Sequence, residues 1–144
     1  MTVKQLSVFI ENRPGRLSTV TRLFGDNGID IRAMSIADTK DFGILRLIVN
    51  DAEKAQSILR DNDFSVTITN VLAIGLEDRP GGLADAMETL YANNISVEYM
   101  YAFISKENGV AYVIFRVQNN DEASRCLQEN GFKILTSDDI YNMK

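Results

Sequence analysis

Two short stretches of this chain carry the residue types best suited to holding a small ligand. They are Asn12-Arg13-Pro14-Gly15-Arg16-Leu17 and, 66 positions later, Asp78-Arg79-Pro80-Gly81-Gly82-Leu83. Proline at the start of a helix presets φ for the first turn and has no N–H to leave unpaired. Glycine has no Cβ, so another group can come close to the backbone. The N–H groups that follow sit at the positive end of a helix dipole, where a carboxylate is stabilised. Asn12 or Asp78, just before the turn, can accept a hydrogen bond from an ammonium group. A small molecule bearing both groups is an α-amino acid. The same pattern also serves as a plain strand-to-helix connection, with Asn or Asp as a local cap. An arginine in such a place is commonly a solvated or capping side chain.

Other chemistry is scarce. The chain has no His, which removes the Ser–His and Cys–His arrangements of nucleophilic catalysis and the commonest metal ligand. Cys126 falls beside Leu127 on the inner stripe of a helical segment and reads as a structural thiol. Asp138 and Asp139, in a short C-terminal tail, read as solvated charge. No GxxxxGK[ST] or GxGxxG pattern is present. General acid–base work would fall on Asp, Glu, Lys or Tyr alone, so neither an enzyme nor a bound metal or cofactor is expected.

Charge and hydropathy narrow the partners. Residues 1–69 hold nine Lys/Arg against nine Asp/Glu, and residues 70–144 hold six against eleven, so the second half carries the whole net charge of −5. Nucleic-acid binders usually present a basic face. A nucleic-acid partner is therefore not expected, although Tyr99 and Tyr101 could in principle stack bases. No apolar run approaches the roughly 20 residues that span a bilayer. The N-terminal residues alternate and carry charge, unlike a signal peptide. With a single Cys, a cytoplasmic protein without membrane association is expected.

The two loops belong to a longer duplication. At an offset of 66, Glu11, Asn27, Ile29, Met34, Gly43 and Ile48 meet Glu77, Asn93, Ile95, Met100, Gly109 and Ile114. After a two-residue insertion, Ala55, Leu59, Asn62 and Phe64 meet Ala123, Leu127, Asn130 and Phe132. Two domains, residues 1–69 and 70–144, follow from this register.

Each copy reads as one series of elements. Leu6, Val8 and Ile10 alternate in a first strand. Leu17, Val20, Leu23 and Phe24 have helical spacing, and Gly28 suits the left-handed residue after that helix. Residues 29–37 and 44–50 read as strands around a turn at 39–43. Asp51 can cap a helix with Ala55, Ile58 and Leu59 inside, and 64–69 is a fourth strand. The second copy predicts strands at 71–77, 95–105, 110–117 and 132–135, helices at 81–93 and 120–130, and a turn near Asn108-Gly109. The fold class is α+β: two βαββαβ ferredoxin-like units, each an antiparallel sheet with helices on one face. No flexible linker separates them, so they are expected to pack as a pair. Ile44 and Ile48 lie on one side of their strand, Leu45, Leu47 and Val49 on the other, and Tyr99, Tyr101 and Phe103 form a stripe. Apolar residues on both sheet faces imply cover from a sister unit or another chain.

"ENRPGRL…NGIDI" and "EDRPGGL…NNISV" resemble the ACT domain, with its polar residue, x, Pro, Gly, x, Leu, helix, and Gly-Ile-like lead into the second strand. The resemblance covers both copies, and the chain is most similar to small stand-alone tandem ACT proteins. It implies regulatory binding of a small molecule, usually an amino acid, at interfaces between paired ACT units. The loop before the first helix and the start of a partner's second strand would hold the ligand. Carried over, these are the two loops above together with Asp30 and Ile31 in the first copy and Ser96 and Val97 in the second. Some members place a polar residue two before the loop Asn, where this chain has Ile10 and Leu76. Asp30 would disfavour an acidic group nearby. Asn12 with Arg16 in one loop, against Asp78 with Gly82 in the other, argues against identical sites. The expected assembly is a homodimer. The competing reading is a protein-interaction module or regulatory subunit of an amino-acid biosynthetic enzyme, motivated by exposed sheet edges and the tyrosine-rich second half.

Overall fold

The computed structural model describes residues 2–38, 41–103 and 109–142. Thr39 and Lys40 of the expected first turn, residues 104 and 105 of an expected strand, and Asn108 lie outside the described residues. The chain divides into two compact units, one of residues 4–69 and one that begins at Asn70 and takes in Thr2 and Val3.

The first unit contains β1 (Val3–Glu11), α1 (Arg16–Asp26), β2 (Ile31–Asp38), β3 (Phe42–Val49), α2 (Ala52–Asp61) and the opening part of β4 (Ser65–Glu77). Its strands lie in the order β2-β3-β1-β4, with β3 antiparallel to both β2 and β1. Cross-strand pairs Leu6–Leu47 and Val8–Leu45 point toward the helices. There they meet Val20 and Phe24 of α1 and Ala55 and Leu59 of α2 in one core. Leu17, Leu23 and Ile58 pack at its rim. Local signals act as their chemistry dictates. Gly28 takes φ 71° after α1, and the Asp51 carboxylate accepts from the Lys54 amide at 3.1 Å. On the helix-free face Ala33 and Ile48 are buried, whereas Phe9 and Phe42 are half exposed.

The second unit uses the rest of β4, then α3 (Gly82–Ala92), β5 (Tyr99–Ala102), β6 (Val110–Arg116), α4 (Asn120–Glu129), β7 (Lys133–Ile134) and α5 (Ser137–Tyr141). The strand order is β7-β4-β6-β5, matching the first unit. Leu72, Ile74, Val113 and Phe115 form its core with Ala86, Leu90, Ala123 and Leu127. Cys126 is buried there. Burial pushes its thiol pKa up, with Glu129 and Glu122 adding to the shift.

Two expectations are corrected. Among the described residues, the strand expected over 95–105 is realised only as Tyr99–Ala102, with the Phe103 amide donating to Tyr112 O beyond it. Its partner β6 ends at Arg116, whose carbonyl accepts from Glu98 N, so Ile95 and Val97 have no strand to join and pack on the core instead. The C-terminal tail is helical. Thr136 and Asp139 form a reciprocal capping box for α5, and Ile140 is buried. Asp139 is therefore a structural carboxylate. The Thr136 backbone N–H holds its pKa below the ordinary aspartate value.

Candidate functional site

The two repeated loops share a backbone. Gly15 has φ 89° and ψ −15°, Gly81 φ 89° and ψ −12°. The Arg16 amide reaches Arg13 O at 3.5 Å, and the Gly82 amide reaches Arg79 O at 3.0 Å. Proline followed by a left-handed glycine, closed by an i to i+3 bond, is a type II turn. Proline therefore does not begin the helix, as the sequence suggested. The helix starts two residues later, from a glycine N-cap with no side-chain cap. Nor do Asn12 and Asp78 cap it. Their amides donate to Asp41 O and Gly109 O, both at 3.0 Å, tying each loop to the start of the neighbouring strand.

The glycines are required for different reasons. Gly15 needs no Cβ because of its φ alone, since nothing lies within 4 Å of the place a Cβ would take. At Gly82 a Cβ would overlap the carbonyl oxygen of Glu77. The first loop has Arg16 there, and its guanidinium carbon stacks 4.3 Å from the Phe64 ring centre. Arg16 thus faces the core edge and not the loop mouth. Leu17 packs on the core, whereas Leu83 is exposed.

The loop arginines differ as much. Among the described residues Arg13 makes one side-chain bond, Nε to Glu11 at 2.9 Å. Arg79 binds Glu77 at 2.7 Å, Asp85 at 2.6 Å and Pro80 O at 3.1 Å. Those bonds, Glu77 first and Asp85 second, raise its pKa further. Residue 19, the counterpart of Asp85, is Thr, and the first turn of α1 holds no acid. The positive end of α1 therefore faces no acid of its own first turn, whereas Asp85 stands in the first turn of α3.

The other expected half of each site lies elsewhere. The Asp30 amide donates to Asn50 Oδ1 at 2.9 Å, and its carboxylate meets Arg32 at 2.6 Å. Ile31 opens β2 and packs on the core. Asn12 is tied to one end of β3 and Asp30 to the other, the length of eight extended residues apart, roughly 25 Å. The same separation holds in the second unit, where Asp78 bonds Gly109 before β6 and Glu98 bonds Arg116 at its end. No single unit brings its loop to the start of its own second strand.

Around Ser96 the second unit has a cleft of about 810 Å³. Asn94, in the left-handed region at φ 58°, turns the chain along one wall. Thr2, Asn70, Ile95, Gln118, Asn119 and Asn120 line much of the rest. Glu98, Asp121 and Glu122 also line it, and among the described residues no Lys or Arg does. Val97 does not reach it. These residues come from four separate stretches, and only the polar run at 118–122 marked the place in the sequence. Among the described residues no group of three or more His, Cys, Asp or Glu is placed to hold a metal ion.

A family model described as an ACT domain pair matches residues 1–144. Protein BT0572 from Bacteroides thetaiotaomicron is similar in structure, with TM-score 0.93 and 42% identity over 99% of this chain and 98% of that one. The regulatory subunit of aspartate kinase from Thermus thermophilus, in a ligand-free form, aligns with TM-score 0.64 and 13% identity over 89% and 92% of the two chains. The corresponding subunit from Thermus flavus gives 0.61 and 13% over 88% and 90%. At that identity the likeness is one of fold. Among curated proteins the chain has no significant match. No described helix is long and apolar enough to cross a membrane.

Proposed function

We propose, from the premise that this chain belongs to the ACT domain pair family along its whole length, that it is a non-catalytic cytoplasmic regulator that binds an amino acid. Its ACT units are residues 1–69 and 70–144. The observation that carries the reading is the first loop. Among the described residues Arg13 bonds only Glu11, through Nε, beside a helix start with neither side-chain cap nor acid. That pairing suits the α-carboxylate of an amino acid. Because no unit joins its loop to the start of its own second strand, the rest of such a site comes from another ACT unit, supplied by a second copy in a homodimer. The second loop, with Arg79 held by Glu77 and Asp85, supports the fold.

Thermal unfolding in the presence of each of the twenty amino acids tests this, because a ligand specific for the folded state raises the melting temperature by mass action. A rise with one or a few is expected. No rise with any at millimolar concentration would sink amino-acid sensing.

A second reading has its own observation. Phe9 and Phe42 sit diagonally on neighbouring strands of the helix-free face, 51% and 55% exposed. A patch of this kind suits a protein partner such as a biosynthetic enzyme. Co-purification from the native host with one enzyme, lost on Phe9→Ser, supports it. Isolation as a lone homodimer overturns it.

A further inference from the structure

We infer that Asn130-Gly131, where α4 ends, is a site of spontaneous asparagine deamidation that the helix end keeps closed, and that Asn27-Gly28, where α1 ends, is a second one held more firmly. Asparagine is chemically labile, most of all before glycine, whose missing Cβ lets its backbone nitrogen approach the side chain. That nitrogen attacks the Asn Cγ, and Nδ2 departs as ammonia with the glycine amide proton, leaving a five-membered succinimide. Water then opens the ring to aspartate or isoaspartate. No redox step and no other reactant is needed, and nothing here depends on the regulatory reading above.

The fold holds both residues away from this reaction. Asn27 and Asn130 are helix C-caps with ψ 12° and 15°, and the glycines that follow are left-handed, at φ 71° and 86°. Ring closure needs the glycine nitrogen and Cγ on the same side of the Cα–C bond, which so small a ψ does not give. Each leaving nitrogen is also engaged, Asn27 Nδ2 by Leu23 O and Asn130 Nδ2 by Cys126 O, both at 2.8 Å. Each attacking nitrogen donates back into its helix, Gly28 to Gly25 O at 3.4 Å and Gly131 to Gln128 O at 3.1 Å. Reaction therefore waits for the helix end to open.

The two ends differ in what else holds them. The Lys54 ammonium donates to Asn27 O at 2.7 Å, and Asn50 Nδ2 donates to Gly28 O at 3.3 Å. These ties from outside α1 outweigh the longer Gly28 bond. Among the described residues no side chain of another element bonds Asn130 or Gly131, so the last turn of α4 opens more readily. The consequences differ as well, because a carboxylate at a helix C-terminus opposes the dipole. At position 27 the Lys54 ammonium offsets it. At position 130 the adjoining residue is Glu129, and the donor to Cys126 O is lost.

Incubation of the full chain in mildly alkaline buffer, folded and in guanidinium, followed by peptide mapping with mass spectrometry, tests the assignment. Unfolded, both sites gain aspartate and isoaspartate at similar rates. Folded, both slow by more than about tenfold, Asn130 reacts ahead of Asn27, and Lys54→Ala speeds Asn27 alone. In a separate measurement Asn130→Asp lowers the melting temperature more than Asn27→Asp does. No product in guanidinium overturns the sites themselves. Equal rates in the folded and unfolded chain overturn their closure by the helix ends. A folded chain in which Asn27 reacts first, or in which Lys54→Ala leaves its rate unchanged, overturns the ranking.

Discussion

The loops at Arg13 and Arg79 begin from nearly the same sequence and the same type II turn, yet their charges are disposed differently. Arg79 is enclosed by Glu77 and Asp85 and by a carbonyl of its own loop. Among the described residues Arg13 holds only Glu11. One substitution accounts for most of the contrast: Thr19 stands where the second unit has Asp85. A second change, Arg16 for Gly82, moves a cation out of the loop and onto the Phe64 ring. The starts of the second strands are reversed as well. Arg32 pairs with Asp30 in the first unit, and its counterpart Glu98 pairs with Arg116 in the second. Duplication preserved the fold-determining residues, while the charged residues around the turn diverged. Among the described residues the arginine of one loop makes a single side-chain bond, and that of the other makes three.

Substitutions can break or sharpen this contrast. The largest effect is expected at Gly82. Its Cβ would overlap a carbonyl oxygen of the backbone, so Gly82→Ala should cost about 2 to 3 kcal/mol in urea unfolding. The reciprocal Arg16→Gly loses the stacked guanidinium, about 0.5 to 1 kcal/mol. Equal losses would mean that the two turns are interchangeable.

Next come Gly15→Ala and Gly81→Ala, each forcing a side chain onto φ 89° at about 1 to 2 kcal/mol. Gly81→Ala should lie at the upper end, because its Cβ would also press on the Arg79 guanidinium at 3.2 Å.

A smaller effect separates the ends of the two units. Thr136→Ala removes the capping box of α5 and should lower stability by about 1 kcal/mol. Asp139 titrates below its unfolded value when folded. Its contribution is therefore present above about pH 4, the unfolded aspartate value, and is lost as pH falls through the depressed folded one. Denaturation curves at pH 6 and pH 3 should show Asp139→Asn losing less stability on acidification than the parent.

The repeat made most of the fold legible. Alternating Leu6, Val8 and Ile10, the stripe ending at Phe24, and the cap at Asp51 are local signals, and each is realised in the structure. Pro-Gly fits two geometries, proline as first helical residue or proline before a left-handed glycine. Only the backbone angle separates them. The Thr136-x-x-Asp139 box was present in the sequence but lay in a segment too short for periodicity. The cleft could not be read at all, since Thr2, Asn70, residues 94–96, Glu98 and residues 118–122 meet only after the sheet has formed. The role of Arg79 was partly legible, for Asp85 against Thr19 was already visible in the aligned copies.

The contrast between the loops is tested most directly by calorimetric titration of the amino acid that gives the largest thermal shift into three proteins: the parent, Arg13→Ala and Arg79→Ala. The account predicts that Arg13→Ala abolishes the heat of binding with little change in melting temperature. Arg79→Ala should melt lower and still bind. Undiminished binding by Arg13→Ala, together with loss in a folded Arg79→Ala, would contradict it.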